Sequence, residues 1–167
     1  MDSCLVGSEM CIRDRNKNGP LGYSVDDLLD LFFIKELKKK YPHEISAGQA
    51  QRVSLVRSII HNPDLLLLDE PLANIDQYLK NKIQDNLKQV LKKSGLTTII
   101  VTHDKFEAFY LGDYCGVLLN KRIVQFDSPY NLHHLPKNKM VVEFFNRGVL
   151  IPATVSYTHL RAHETRI

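Results

Sequence analysis

The sequence predicts an α/β domain built on parallel strands, and three observations carry that prediction. Leu65 to Leu68 is an unbroken apolar run closed by Asp69. Thr97 to Val101 is a second run, rich in β-branched residues. Between them, Asp76 to Lys93 repeats Leu79, Ile83, Leu87, Val90 and Leu91 at helical spacing. Continuous apolar strands suit a sheet covered on both faces, and a helix between two strands is the crossover that parallel pairing requires. The Leu65–Leu68 strand is therefore expected to be buried on both faces.

The other elements follow in order. Asn16 to Gly22 is rich in Gly, Pro and Asn and reads as loop. Ser24 can cap a helix from Val25, with Asp26 and Asp27 in the first turn and Leu28, Leu29, Leu31 and Phe32 on the apolar face. Tyr41-Pro42-His43 stops the next helical stretch. Ser46 then caps a helix reaching about Ile60, with Ala50, Val53, Val56 or Leu55, and Ile60 as its stripe. Asn62-Pro63-Asp64 is a turn. Gly95 ends the Asp76–Lys93 helix. Lys105 to Leu111 is helical, and Gly116–Leu119 can pair with Arg122–Phe126 around Asn120-Lys121.

Composition excludes several classes. The 167 residues are 44% hydrophobic and 25% charged, as in an ordinary globular protein. A net charge of +3 is too weak to argue for a nucleic-acid partner, and none is expected. No apolar run approaches the roughly 18 residues of a membrane helix, and Met1-Asp2-Ser3 lacks the basic start of a signal peptide. Cys4, Cys11 and Cys115 show no metal spacing, and Cys115 reads as a small buried residue. His43, His61, His133 and His134 read as surface or loop residues.

The two ends are related to each other through their coding strands. Val155 to Glu164 can be written GTC TCT TAT ACA CAT CTC CGA GCC CAC GAG. The reverse complement then translates as Leu5 to Asp14, and Thr165 to Ile167 give Asp2 to Cys4 in the same way. Thirteen consecutive antisense matches imply an inverted repeat, and the sequence resembles a translated transposon-end sequencing adapter. Residues 1–15 and 154–167 are accordingly expected to be foreign and to make few packing contacts. A family resemblance set out below implies the organisation of the rest: 16–61 as the end of a helical subdomain, 62–130 as part of a catalytic core, and 131–153 as the start of a C-terminal extension.

Three segments carry chemistry. Asp69 and Glu70 stand where a buried strand emerges at its carboxyl end, the place where open α/β sheets bind ligands. One acid there can hold Mg²⁺, largely through water, and the next can orient or deprotonate an attacking water. A surface acid pair is the alternative. Ser46-Ala47-Gly48-Gln49 opens a helix whose first N–H groups suit an anion, and Gly48 would let the backbone approach it closely. Standing alone, this is an ordinary capped helix. His103 follows the second strand, where a lone histidine is usually structural.

Taken together, Ile45-Ser46-Ala47-Gly48-Gln49 with Gln51-Arg52, Leu65–Leu68 with Asp69-Glu70-Pro71 and Leu72-Ala73-Asn74-Ile75-Asp76, and Val101-Thr102-His103-Asp104 resemble the ATP-binding subunits of ABC transporters. The resemblance implies a partial P-loop NTPase-type fold with part of the helical signature subdomain. It implies ATP and Mg²⁺ as ligands, Asp69 as the metal-binding acid, Glu70 as general base and His103 as the switch histidine. Ser46, Gly48 and Gln49 become the signature, which reaches ATP bound to the opposite subunit, so Ser46 should lie away from Glu70. Asp76 becomes the D-loop acid at a dimer interface. Ala47 departs from the family's usual second glycine.

The implied partners are a second nucleotide-binding subunit and transmembrane permease subunits, at the cytoplasmic face of the plasma membrane. Gln125 to Tyr130, Val142 to Phe145 and Gly148 to Pro152 resemble bacterial importers of ferric iron and related small solutes. No two glycines are five residues apart, so the sequence contains no G-x-x-x-x-G-K-[ST] loop. The expectation is a 167-residue fragment of a transport ATPase, itself inactive. The rival readings are an ABC-type ATPase acting on nucleic acid or the ribosome, and a non-enzymatic interaction module.

Overall fold

A computed structural model describes residues 22–145. The readings made for residues 1–15 and 154–167, and for Gly148–Pro152, lie outside the described residues. The chain divides between Cys115 and Gly116 into two compact units.

The first unit begins with α1 (Val25–Leu31), closed at its start by a reciprocal box. Ser24 Oγ accepts from the Asp27 amide at 3.1 Å, and Asp27 Oδ2 accepts from the Ser24 amide at 2.8 Å. Leu28, Leu29 and Phe32 are fully buried, as the helical spacing requires. Two single 3₁₀ turns follow, Lys35–Leu37 and Pro42–Glu44. Pro42 thus opens a turn rather than only stopping a helix: at the first position its missing N–H costs nothing. Helix α2 (Ala47–Ile60) is capped by Ser46, whose Oγ accepts from the Gln49 amide while Gln49 Oε1 accepts from the Ser46 amide. Its buried stripe is Val53, Leu55, Val56 and Ile59. Ile60, expected in that stripe, is only half-buried, because the line set by Val56 continues at Ile59.

Strand β1 (Leu65–Asp69) pairs in parallel with β2 (Thr97–Val101), in register from Leu65↔Thr97 to Asp69↔Val101. The crossover is α3 (Gln77–Ser94). Asp76 Oδ1 caps it by accepting from the Tyr78 amide at 2.9 Å, and Gly95 ends it in the left-handed region at φ 62°. One hydrophobic cluster joins α1, α2, the α3 residues Ile83, Leu87 and Val90, and Leu66 and Leu68 of β1. The expectation that β1 is buried on both faces fails here. Leu66 and Leu68 point into that cluster, whereas Leu65 and Leu67 are 47% and 65% exposed. Within this unit the buried side chains of β1 face the helices, and Leu65 and Leu67 face away from them. Helix α4 (Lys105–Leu111), capped by Asp104, completes the unit.

The second unit opens with a hairpin of β3 (Cys115–Leu119) and β4 (Arg122–Asp127). Asn120 and Lys121 form its two-residue turn with φ of 50° and 61°, the pair of positive angles that matches the strands' right-handed twist. Two short helices follow: α5 (Pro129–His134), capped by Ser128, and α6 (Lys139–Phe144), capped by Asn138. Val117, Leu132 and Val141 are its buried apolar residues. The buried Gln125 side chain donates to the Leu135 carbonyl and accepts from the Lys137 amide.

Candidate active site

Parallel pairing sets the site. Because Asp69 lies opposite Val101, both strands end together, and the residues that follow each strand meet beyond the sheet. The Glu70 amide donates to the Val101 carbonyl at 2.8 Å, so it prolongs the ladder by one bond. Glu70 then turns sharply: its φ is 47°, an uncommon value for a residue with a side chain. The turn carries its carboxylate across the strand ends. Glu70 Oε1 accepts from the His103 amide at 2.9 Å and contacts His103 Nδ1 at 2.7 Å.

The electrostatics of this pair follow from its geometry. The hydrogen bond to Glu70, and then the carboxylate's charge, hold the His103 imidazole above its ordinary pKa. An ionised carboxylate only accepts, so the short contact assigns a proton on Nδ1 toward Glu70, while the His103 side chain as a whole is 79% exposed. Asp69 is exposed at the end of β1. Glu70 and His103 are thus brought together, with Asp69 immediately before them.

The remaining site residues are engaged differently. Ser46 and Gln49 satisfy one another at the start of α2. Gly48 is needed for a reason the sequence does not show. A Cβ there would stand 2.4 Å from the Asn74 carbonyl oxygen, so the segment after Glu70 packs directly on this glycine. Asp76 serves as the cap of α3.

Two further groups received no role in the sequence reading, although Gln51 was part of a quoted motif. Gln51 reaches from α2 to the turn after β1: its Nε2 donates to the Glu70 carbonyl, and its Oε1 accepts from the Asn74 amide at 3.2 Å. Lys80 of α3 contacts Asp104 at 2.7 Å and Glu107 at 3.6 Å. The hydrogen bond from Lys80 holds the Asp104 carboxyl low, and the same bond holds Lys80 high. Burial pushes the Glu107 carboxyl up, against the pull of Lys80. The spacing of Asp104 and Glu107, a cap and its third helical residue, was visible in the sequence; a lysine 24 residues away was not. Cys115 is half-buried rather than buried, with Sγ donating to the Ala108 carbonyl, and burial pushes its thiol up.

The donor set suits a hard, hydrated cation only in part. No cluster of three or more His, Cys, Asp or Glu side chains exists among the described residues. One carboxylate with water and phosphate oxygens is a common environment for Mg²⁺, so Asp69 fits such an ion once a phosphate ligand shares it.

The family model described as ABC transporter matches residues 8–73, a match that begins within the N-terminal stretch read as foreign. The chain is 33% identical over 141 residues to the "Fe(3+) ions import ATP-binding protein FbpC" of Haemophilus influenzae (strain 86-028NP), covering 84% of this chain and 40% of that protein. It is 38% identical over 135 residues to the "Spermidine/putrescine import ATP-binding protein PotA" of Chromobacterium violaceum, covering 81% of this chain and 37% of that protein. The chain thus spans about two fifths of the length of these relatives. Among solved structures it is similar to the dimeric ATP-binding cassette MJ0796 in a post-hydrolysis state bound to ADP and Pi. That match has 27% identity and a TM-score of 0.56, over 62% of this chain and 44% of that one.

Proposed function

Because this chain is part of an ABC transporter ATP-binding subunit, homologous to iron and polyamine importer ATPases, we propose that the protein encoded by the gene it comes from hydrolyses ATP to drive import. The observation that carries the reading is the junction of Glu70 and His103 at the carboxyl ends of β1 and β2. Glu70 is the general base. Oε1 is committed to His103, so Oε2 is the oxygen that takes the proton of the attacking water. His103 holds that carboxylate in place and leaves its exposed ring available to a phosphoryl oxygen. Asp69 is the residue that would hold Mg²⁺. Mg²⁺ and ATP, when bound, supply the scissile phosphoanhydride and the neutralisation of its charge.

Ser46, Gly48 and Gln49 are proposed to serve the nucleotide of a second cassette, with Asp76 close to that interface. The similarity to a dimeric cassette supports a paired assembly, and the importer relatives support permease partners and a place at the cytoplasmic membrane face. No helix among the described residues is long and apolar enough to cross a membrane. The organisation into 16–61, 62–130 and 131–153 remains the working division. Iron and polyamine importers both stand among the relatives, so the cargo class is a small cationic solute, chosen by the other subunits.

The 167-residue chain itself is proposed to be inactive. Phosphoryl transfer depends mainly on positioning and charge neutralisation, and this sequence has no G-x-x-x-x-G-K-[ST] loop to cradle the phosphates. The experiment compares three proteins. The gene product with its upstream sequence should hydrolyse Mg·ATP. Its Glu70→Gln variant should bind ATP but turn over about 10²–10⁴-fold more slowly. The 167-residue chain should do neither. Robust hydrolysis by the short chain, or full turnover by the variant, overturns the assignment.

A further inference from the structure

We propose that Gln51 is a positioning residue for Glu70, holding the turn from Glu70 to Asn74 from the side of α2. This inference rests on the general-base reading of Glu70.

The turn needs an external support. Glu70 sits at φ 47°, a region that costs a residue with a Cβ and persists only where its surroundings hold it. Its amide is tied to β2 through the Val101 carbonyl, and its carboxylate is tied to His103. Its carbonyl is the remaining handle. The Ala73 amide donates to it at 3.3 Å, and Gln51 Nε2 donates to it from outside the turn. The other end of the same amide group, Gln51 Oε1, accepts from the Asn74 amide. One planar side chain therefore grips both ends of a five-residue turn, with its donor on the first residue and its acceptor on the last.

The contact is made by a well-anchored element. Gly48, one turn earlier on α2, lies directly under the Asn74 carbonyl. Arg52, the next residue on α2, is buried and donates to the carbonyls of Phe32 and Phe33 at 3.1 and 2.7 Å. Gln51 thus projects from a helix fixed to α1 on one side and to the turn on the other. Any movement of α2 against the sheet pulls on the Glu70 backbone. The direction of the Glu70 carboxylate consequently depends on a helix whose N-terminus bears Ser46, Gly48 and Gln49.

The test uses variants that keep side-chain size. Gln51→Met removes both hydrogen bonds at similar length. Gln51→Glu keeps an acceptor for Asn74 and removes the donor to Glu70. In the first measurement, amide hydrogen exchange is read on the 167-residue chain, with Val90 in the middle of α3 as internal reference. Both variants should speed exchange of the His103 amide, whose acceptor is the Glu70 carboxylate, by about tenfold relative to Val90. Only Gln51→Met should also speed the Asn74 amide. A merely structural loss would speed His103 and Val90 together, and that result overturns the proposal.

In the second measurement, the longer gene product carrying either variant should lose about 10–100-fold in kcat with little change in KM for Mg·ATP. Unchanged kcat in both variants also overturns it. Should Glu70→Gln leave turnover intact, the general-base reading fails, while the exchange result still decides whether Gln51 holds the turn.

Discussion

His103 presents a titration that can be worked through in sign. Its folded pKa is raised, first by the hydrogen bond to Glu70 and then by that carboxylate's charge. The stabilisation from this pair is therefore present below the ordinary histidine value of about 6.5 and is lost as pH rises through the raised folded value. The ring is exposed, so the pair is also weakened by salt. Proton NMR of the His103 ring should give a midpoint above the ordinary histidine value of about 6.5, and Glu70→Gln should bring it down; an unmoved midpoint would refute the pair. Gly48 makes a second residue-scale prediction. Gly48→Ala puts a methyl against the Asn74 carbonyl, a backbone atom that cannot step aside, and should cost about 1–3 kcal/mol in denaturant unfolding. The meeting of Glu70 and His103 was legible because each stands just past the end of its strand in sequence. The clamp was not: Gln51 and Asn74 are 23 residues apart, and their meeting depends on how α2 packs.

At the scale of elements, caps decide boundaries. The starts of α1 and α2 were readable from Ser24 and Ser46, because a cap is a local hydrogen bond within three residues, whereas Asp76, read as the first residue of α3, proves to be its cap. Gly95 was readable for the same reason. What could not be read locally was which side of each element is covered. The periodicity of α2 allows either Ile59 or Ile60, and only its packing in the common cluster selects Ile59. Asp76→Ala should cost about 1 kcal/mol, since it leaves the Tyr78 amide without its acceptor. Gly95→Ala should cost a similar amount through its left-handed φ. Thermal or urea unfolding of both variants checks this, and two neutral results would mean that α3 is set by burial alone. Asn120-Lys121 offers the opposite sign: Lys121→Gly should strengthen the hairpin, because glycine takes a positive φ freely.

For the whole molecule, the open face of the sheet dominates. Leu65, Leu67, Ile99 and Val101 lie 47–65% exposed on adjacent strands, and contiguous exposed apolar area of this kind drives association. The 167-residue chain should therefore self-associate as its concentration rises, and Leu67→Lys with Ile99→Lys should reduce this in light scattering. Equal association of the double variant would place the sticky surface elsewhere. Both strands were legible from their β-branched and leucine runs; the open face was not, because an apolar run reads the same whether one or two layers cover it. A different consequence follows from the attachment of α1. Its apolar residues are sunk in the common cluster, and Arg52 grips the backbone where α1 ends. The stretch Lys38-Lys39-Lys40 just beyond is exposed. Trypsin cutting there would sever the chain without parting it. Two bands should appear on a denaturing gel from a particle that still elutes as one, with α1 retained as a peptide subunit of its own protein.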